Sequence, residues 1–98
     1  MVLKTYPHDA SEHLDTPDAQ EEYLVAAFET GDPAFIADAL GVVARAKGMS
    51  DLARKTGLTR PALSKALSAE GNPELATILK VAEALGFRLA PHRIALEA

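Results

Sequence analysis

Apolar positions recur along the chain at helical spacing, interrupted by short clusters of glycine, proline and capping residues. Leu24, Ala27 and Phe28 stand at i, i+3 and i+4 and give one apolar face to a helix expected over 17–30. Thr16 before Pro17 supplies a cap and a first-turn proline, and Asp18, Glu21 and Glu22 fill the first turns, where the helix dipole favours acids. Gly31 closes that helix, and Asp32-Pro33 repeats the same start. Phe35, Ile36, Ala39, Leu40, Val43 and Ala44 stripe a second helix over 33–47, ended by Gly48. Ser50 is expected to cap a third helix near 50–56, ended by Gly57. Thr59 is expected to cap a fourth over 60–68, with Pro61 in the first turn, where a missing N–H costs little. Gly71-Asn72-Pro73 reads as a turn in which Asn72 caps a fifth helix over 73–85, striped by Leu75, Ile78, Leu79, Ala82 and Leu85 and followed by Gly86.

Two weaker patterns flank these five. Residues 9–14 have room for one helical turn, and Phe87-Arg88-Leu89-Ala90 alternates as a short C-terminal strand does. The pattern therefore predicts an all-α fold, a small helical bundle of about five helices. No internal repeat or low-complexity segment appears.

Composition narrows this further. The 98 residues make one domain over 1–98, since a second would be too small to hold its own core. Five aromatic residues, no Trp and many Ala and Leu suit a helical bundle. The absence of Cys excludes disulfides, thiolate metal sites and a Cys nucleophile, and it fits a reducing compartment. Apolar runs of four or five residues fall far short of the roughly 20 that span a bilayer. No secretory signal pattern opens the chain, so a cytoplasmic protein without a membrane partner is expected.

The net charge of −4 conceals a segregation. Residues 1–40 hold Lys4 against nine acids (Asp9, Glu12, Asp15, Asp18, Glu21, Glu22, Glu29, Asp32 and Asp38), a net of −8. Residues 41–98 hold nine bases and five acids, a net of +4. Within 41–68 six bases face the single acid Asp51. Such asymmetry points to two partners of opposite charge, against the plainer alternative of two solvated faces. The chain divides accordingly into acidic N-terminal helices (1–40), a basic helical core (41–86) and a tail (87–98).

Residues 49–68, MSDLARKTGLTRPALSKALS, read as two short helices joined at Gly57. Helices crossing at about 100° need a small residue where they approach, and Ala53 supplies it. The turn needs a residue tolerant of positive φ, and Gly57 supplies it. Leu52, Leu58, Leu63 and Leu67 would lock the pair onto neighbouring helices. Thr59, Arg60, Pro61, Ala62, Ser64, Lys65 and Ser68 are then left to face outward, as the second helix of a helix-turn-helix does in the major groove. Thr59, Arg60, Ser64 and Lys65 are donors suited to phosphates or base edges, and Arg54 and Lys55 on the preceding helix suit the DNA backbone. An ordinary helical hairpin with a solvated polar face is the plainer alternative.

The segment GMSDLARKTGLTRPALSKALS resembles the Cro/C1-type (XRE-like) helix-turn-helix domain. More narrowly, the stretches GDP, ALG, ARAKGM, ARKTGL, LSKALS and GNPELATILKVAEALG, in that order over roughly residues 8–90, resemble the addiction-module antidote family, the HigA-like antitoxins. The resemblance implies a helical antitoxin that binds a toxin of the RelE/ParE superfamily and represses the shared operon. Ser64 stands where members of the family often carry Tyr. On this reading the acidic segment meets a basic toxin, with Tyr6, Tyr23 and Phe28 as apolar anchors and Glu21 and Glu22 at the rim, and operator DNA meets Arg54, Lys55, Thr59, Arg60, Pro61, Ser64, Lys65 and Ser68. A homodimer is expected, because one helix-turn-helix reads only about four or five base pairs and useful affinity needs two half-sites. Its apolar surface is sought after Pro73, among Leu75, Ile78, Leu79, Leu85, Phe87, Leu89, Ile94 and Leu96. A stand-alone phage-type regulator without a toxin partner, and an interaction module that has lost DNA binding, are the alternatives.

Other chemistry finds little support in the sequence. His8 and His13 lie five apart near Asp9 and Glu12 and do not share a helix face well, so no metal site is expected. Glu21 and Glu22 point to different sides of a helix and make a poor acid/base pair. No glycine-rich phosphate loop occurs, and Ser50, Ser64 and Ser68 have no His nearby in sequence and read as caps or DNA contacts. Neither an enzyme nor a cofactor is expected.

Overall fold

Three of the proposed capping side chains start their helices. In the computed structural model, which describes residues 14–96, the Thr16 hydroxyl accepts from the Ala19 N–H at 3.1 Å and opens α1 (Pro17–Glu29). Asp32 Oδ1 accepts from Ala34 at 3.0 Å and Phe35 at 3.4 Å and opens α2 (Pro33–Lys47). Thr59 accepts from Ala62 at 3.1 Å and opens α4 (Arg60–Ala66). Between them lies α3 (Met49–Thr56), and α5 (Leu75–Ala84) completes an all-α fold. Tyr6, the His8/His13 pair and all but Leu14 of the proposed turn at 9–14 lie outside the described residues.

The other two caps differ, and in each case backbone geometry decides. Gly48 alone separates α2 from α3: its N–H donates to Ala44 O at 2.8 Å while its own carbonyl accepts from Leu52 at 3.2 Å. This one-residue corner needs φ +116°, ψ +111°, a region that side chains with a Cβ avoid. Ser50 is thereby drawn inside α3 and caps nothing. Asn72 sits at φ +52°, spending its tolerance of the left-handed region on the turn rather than on a cap. The last helix therefore begins two residues late, after Glu74, with no side-chain cap. Likewise α4 ends at Ala66 rather than at residue 68, because Leu67 leaves helical geometry at ψ +57°.

The hub is α2, which packs against α1, α3, α4 and α5. All six residues from Ala39 to Ala44 are buried, so its middle is enclosed on every side rather than along one stripe. Phe35, expected in that stripe, is 42% exposed, since it lies in the first turn, ahead of the enclosed stretch. Gly41 permits the enclosure: a Cβ there would stand 2.2 Å from the Leu67 carbonyl oxygen, so the end of α4 rests directly on the α2 backbone. Leu24, Leu40, Val43, Leu52, Leu63, Leu67, Val81 and Leu85 fill the core around this contact.

Each chain end of the bundle is fastened differently. Leu14 is buried ahead of α1, and the buried Gln20 side chain donates to its carbonyl at 2.9 Å while accepting from Lys47 Nζ at 3.4 Å. Among the described residues there is no strand. The alternation at 87–90 reflects packing instead: Phe87 and Leu89 are half-buried, Arg88 and Ala90 exposed, and Phe87 N–H donates to Ala82 O at 2.8 Å. Among the described residues no strand lies beside this tail to pair with it.

Gly41→Ala is expected to lower stability by at least about 2 kcal/mol, the cost of overpacking a site where the obstructing atom is backbone. For a domain of this size that is a fall in Tm on the order of 10 °C, measurable by thermal unfolding. Phe35→Ser, by contrast, should fall within about 0.5 kcal/mol of the parent.

Candidate nucleic-acid interface

Inward and outward positions separate cleanly on α4. Leu63 is fully buried and Leu67 nearly so, while Arg60, Pro61, Ala62, Ser64 and Lys65 are exposed. Arg60 and Ser64 stand one turn apart, and Pro61 and Lys65 form the adjacent row, so the four make one continuous outer face. Seven residues are too few to hold a helix on propensity alone, so α4 owes its position to these leucines and to the Thr59 cap.

The link from α3 is equally constrained. Thr56 is buried, its hydroxyl donating to Leu52 O at 2.9 Å and accepting from Leu58 N–H at 3.2 Å. Gly57, at φ +78°, donates to Ala53 O at 2.9 Å. Ala53 and Leu58 are half-buried against the core. Three residues, Gly57 to Thr59, thus join two helices whose inner faces are both tied to α2.

Two of the expected contact residues are more engaged than spacing alone suggested. Arg54 and Lys55 are exposed on α3, but both pair with Asp51, Arg54 through its guanidinium and Lys55 at 3.1 Å. The spacings i+3 and i+4 were the available signal. Hydrogen bonding from Lys55, with the nearby charges of Arg54 and Lys55, holds the Asp51 carboxyl below its ordinary value of 3.8. Ser68 lies beyond the end of α4, half-buried, and its hydroxyl donates to Lys65 O at 2.9 Å, which withdraws its proton from the outer face.

The residues expected to meet a protein partner gather only in part. Glu21 and Phe28 line an open groove between α1 and the tail, together with Val25, Glu29, Leu89 and Ile94. Glu22 and Tyr23 are not among its lining residues, and Tyr23 is half-buried against the core. Val25, which the helix stripe did not mark, and Ile94, sought above as pairing surface, are the large exposed apolar residues there. On α5, Leu75 and Leu79 are exposed, whereas Ile78 and Leu85 belong to the core.

Residues 4–93 match the family model described as "Probable addiction module antidote protein". The chain belongs to that antidote family. An uncharacterized protein of Haemophilus influenzae is 41% identical over 88 residues, covering 90% of this chain and 91% of that protein. No solved structure matches. Membership of an antidote family supports an antitoxin role and implies a toxin as partner, and it points to regulation rather than catalysis. No helix among the described residues is long and apolar enough to cross a membrane.

Thr59→Ala should cost about 1 kcal/mol in thermal unfolding, the usual loss for an N-cap. Because folding depresses the Asp51 pKa, its favourable contribution is present above pH 3.8 and is lost as pH falls through the depressed value. Carbon-detected NMR titration should show the Asp51 carboxyl titrating below 3.8, and Lys55→Met should move it back toward that value.

Proposed function

We propose that this antidote acts at two surfaces: it neutralises a basic toxin of the RelE/ParE superfamily, and it represses its own operon by presenting α4 to operator DNA. The observation that carries the DNA reading is the outer face of α4, where Arg60, Ser64 and Lys65 are exposed while the opposite side is fixed to α2. A rigid helix with donors on one side, following a second helix across a three-residue turn, has the form of a major-groove reading unit. Antidote membership favours this over a stand-alone regulator, since an antidote has a toxin to oppose.

Roles divide along the face. Arg60, at the start of α4, is placed to fork onto guanine O6 and N7. Lys65 meets a base edge or a phosphate, while Pro61 and Ser64 lie between them at the groove surface. Thr59 keeps its hydroxyl proton for a phosphate, its oxygen already serving the cap. Arg54 and Lys55 contact phosphates, and to do so they exchange Asp51 for the DNA backbone. Ser68 contributes only as an acceptor.

The working unit is a homodimer, because the two half-sites of an operator lie about one DNA turn apart. Leu75 and Leu79, exposed on α5 at 70% and 46%, are the surface offered for pairing. Toxin binding falls to the acidic side of the molecule, residues 14–44, which carry seven acids and no Lys or Arg. Because Leu24 and Ala27 are core residues, removing residues 1–30 would open the bundle, and point substitutions are the proper probe of that side.

Arg60→Ala should weaken operator binding by about 1–3 kcal/mol and random DNA much less, whereas Lys55→Ala should weaken both alike and reduce the salt slope by roughly one charge. Asp51→Asn should strengthen both and steepen that slope. Gel shifts over a salt series check all three, and equal losses on the two DNAs for Arg60→Ala would make that residue a phosphate clamp. Leu79→Glu should shift sedimentation at tens of micromolar from dimer to monomer; a parent that sediments as monomer there contradicts the dimer.

A further inference from the structure

The groove between α1 and the tail has a volume of about 780 Å³ and an apolar floor that reaches the core residues Leu24, Leu40 and Ala82. Its size matches small-molecule pockets, which run at about 300–1,000 Å³, but its chemistry does not. Every polar side chain that lines it is exposed at the rim, and no buried polar side chain points into it. An open trough of this kind suits an inserted protein segment with large apolar side chains. Val25 and Ile94, 50% and 70% exposed on opposite walls, would be covered by such a segment.

Charge identifies the occupant. The α1 wall presents Glu21 and Glu29, Asp18 adds a carboxylate in the first turn, and the acidic run continues past both ends of the helix through Asp15 and Asp32, all exposed. The tail wall carries Arg88 and His92 instead, so the trough is polarised across its width. A second copy of this chain pairing α1 against α1 would set these carboxylates against one another, which like-charge juxtaposition disfavours, and one pairing α1 against the partner's tail would show as loss of the dimer in the groove variants below. A basic segment with an apolar edge satisfies both the floor and the acidic wall.

We propose that this groove seats a basic, apolar-anchored segment of the toxin, its cationic side turned to α1 and its apolar side chains on Phe28, Leu40 and Leu89. The inference rests on the antitoxin reading above and assigns that reading its surface. Val25 and Ile94 are then the contacts that hold the complex, and Glu21 and Glu29 are the charges that speed its formation.

The test measures calorimetric affinity between the full-length chain and the purified basic protein encoded beside it, with operator gel shifts and sedimentation run in parallel. Val25→Lys and Ile94→Lys should each weaken toxin binding at least about tenfold while leaving operator binding and dimerisation unchanged. Val25→Ala, which introduces no charge and disturbs an exposed position least, should weaken it in the same direction. The pair Glu21→Gln and Glu29→Gln should slow association several-fold at low salt, the difference closing toward about 0.5 M. Unchanged toxin affinity in both lysine variants overturns the groove assignment, and so does loss of the dimer with toxin affinity kept, which would give the groove to a second copy. If the unaltered chain itself fails to bind that protein, the antitoxin reading fails, and the groove assignment with it.

Discussion

The bundle depends on one close approach, the α2 backbone at Gly41 against the Leu67 carbonyl at the end of α4. Only a residue without a side chain lets the two backbones meet there. Leu67 then drops into the core behind Gly41, and Leu63, one turn earlier, follows it. Since α2 also touches α1, α3 and α5, its position is fixed from four directions, and that rigidity passes to α4 through the contact. A seven-residue helix could not supply this order itself. The outer face of Arg60, Ser64 and Lys65 is therefore oriented from the inside of the protein, by residues that never meet a ligand.

The same arrangement explains how so small a fold can carry two unlike surfaces. Enclosing α2 uses the inner sides of all four other helices, so their outer sides are free to differ. On α3 and α4 those sides are basic and tightly joined by the Thr56 and Gly57 turn. On α1 they are acidic, and the tail lies alongside and leaves an open trough. One core thus separates two surfaces of opposite sign.

Much of this was legible in the sequence, and the exceptions share a cause. Thr16, Asp32 and Thr59 were readable as caps because each bonds to an N–H within three residues, a relation that spacing records. Ser50 and Asn72 satisfied the same rule and failed it, because the one-residue corner at Gly48 and the left-handed turn at Asn72 had already fixed where the helices begin. Phe35 matched the periodicity of α2, but periodicity does not reveal where the surrounding helices stop. The outer face of α4 was read nearly whole, except that Ser68 falls past the helix end. The groove was not readable, since Val25 and Ile94 are 69 positions apart and nothing local links them.

Asp51 shows how a single acid can matter in a basic segment. Among the six bases of residues 41–68 it binds the two that stand on α3, one turn before the exposed face of α4. In free protein it offsets one of those two positive charges, and the pairs are exposed enough to be worth little to stability. If α3 and α4 meet DNA as proposed, a phosphate must displace Asp51, and the carboxylate left behind repels the same backbone. Both effects lower affinity for any duplex while leaving the Arg60 end of α4 untouched. Discrimination between operator and random DNA rises when the shared electrostatic part falls and the base-reading part does not. On this reading Asp51 restrains non-specific binding, a useful property for a repressor surrounded by an excess of the wrong sequence.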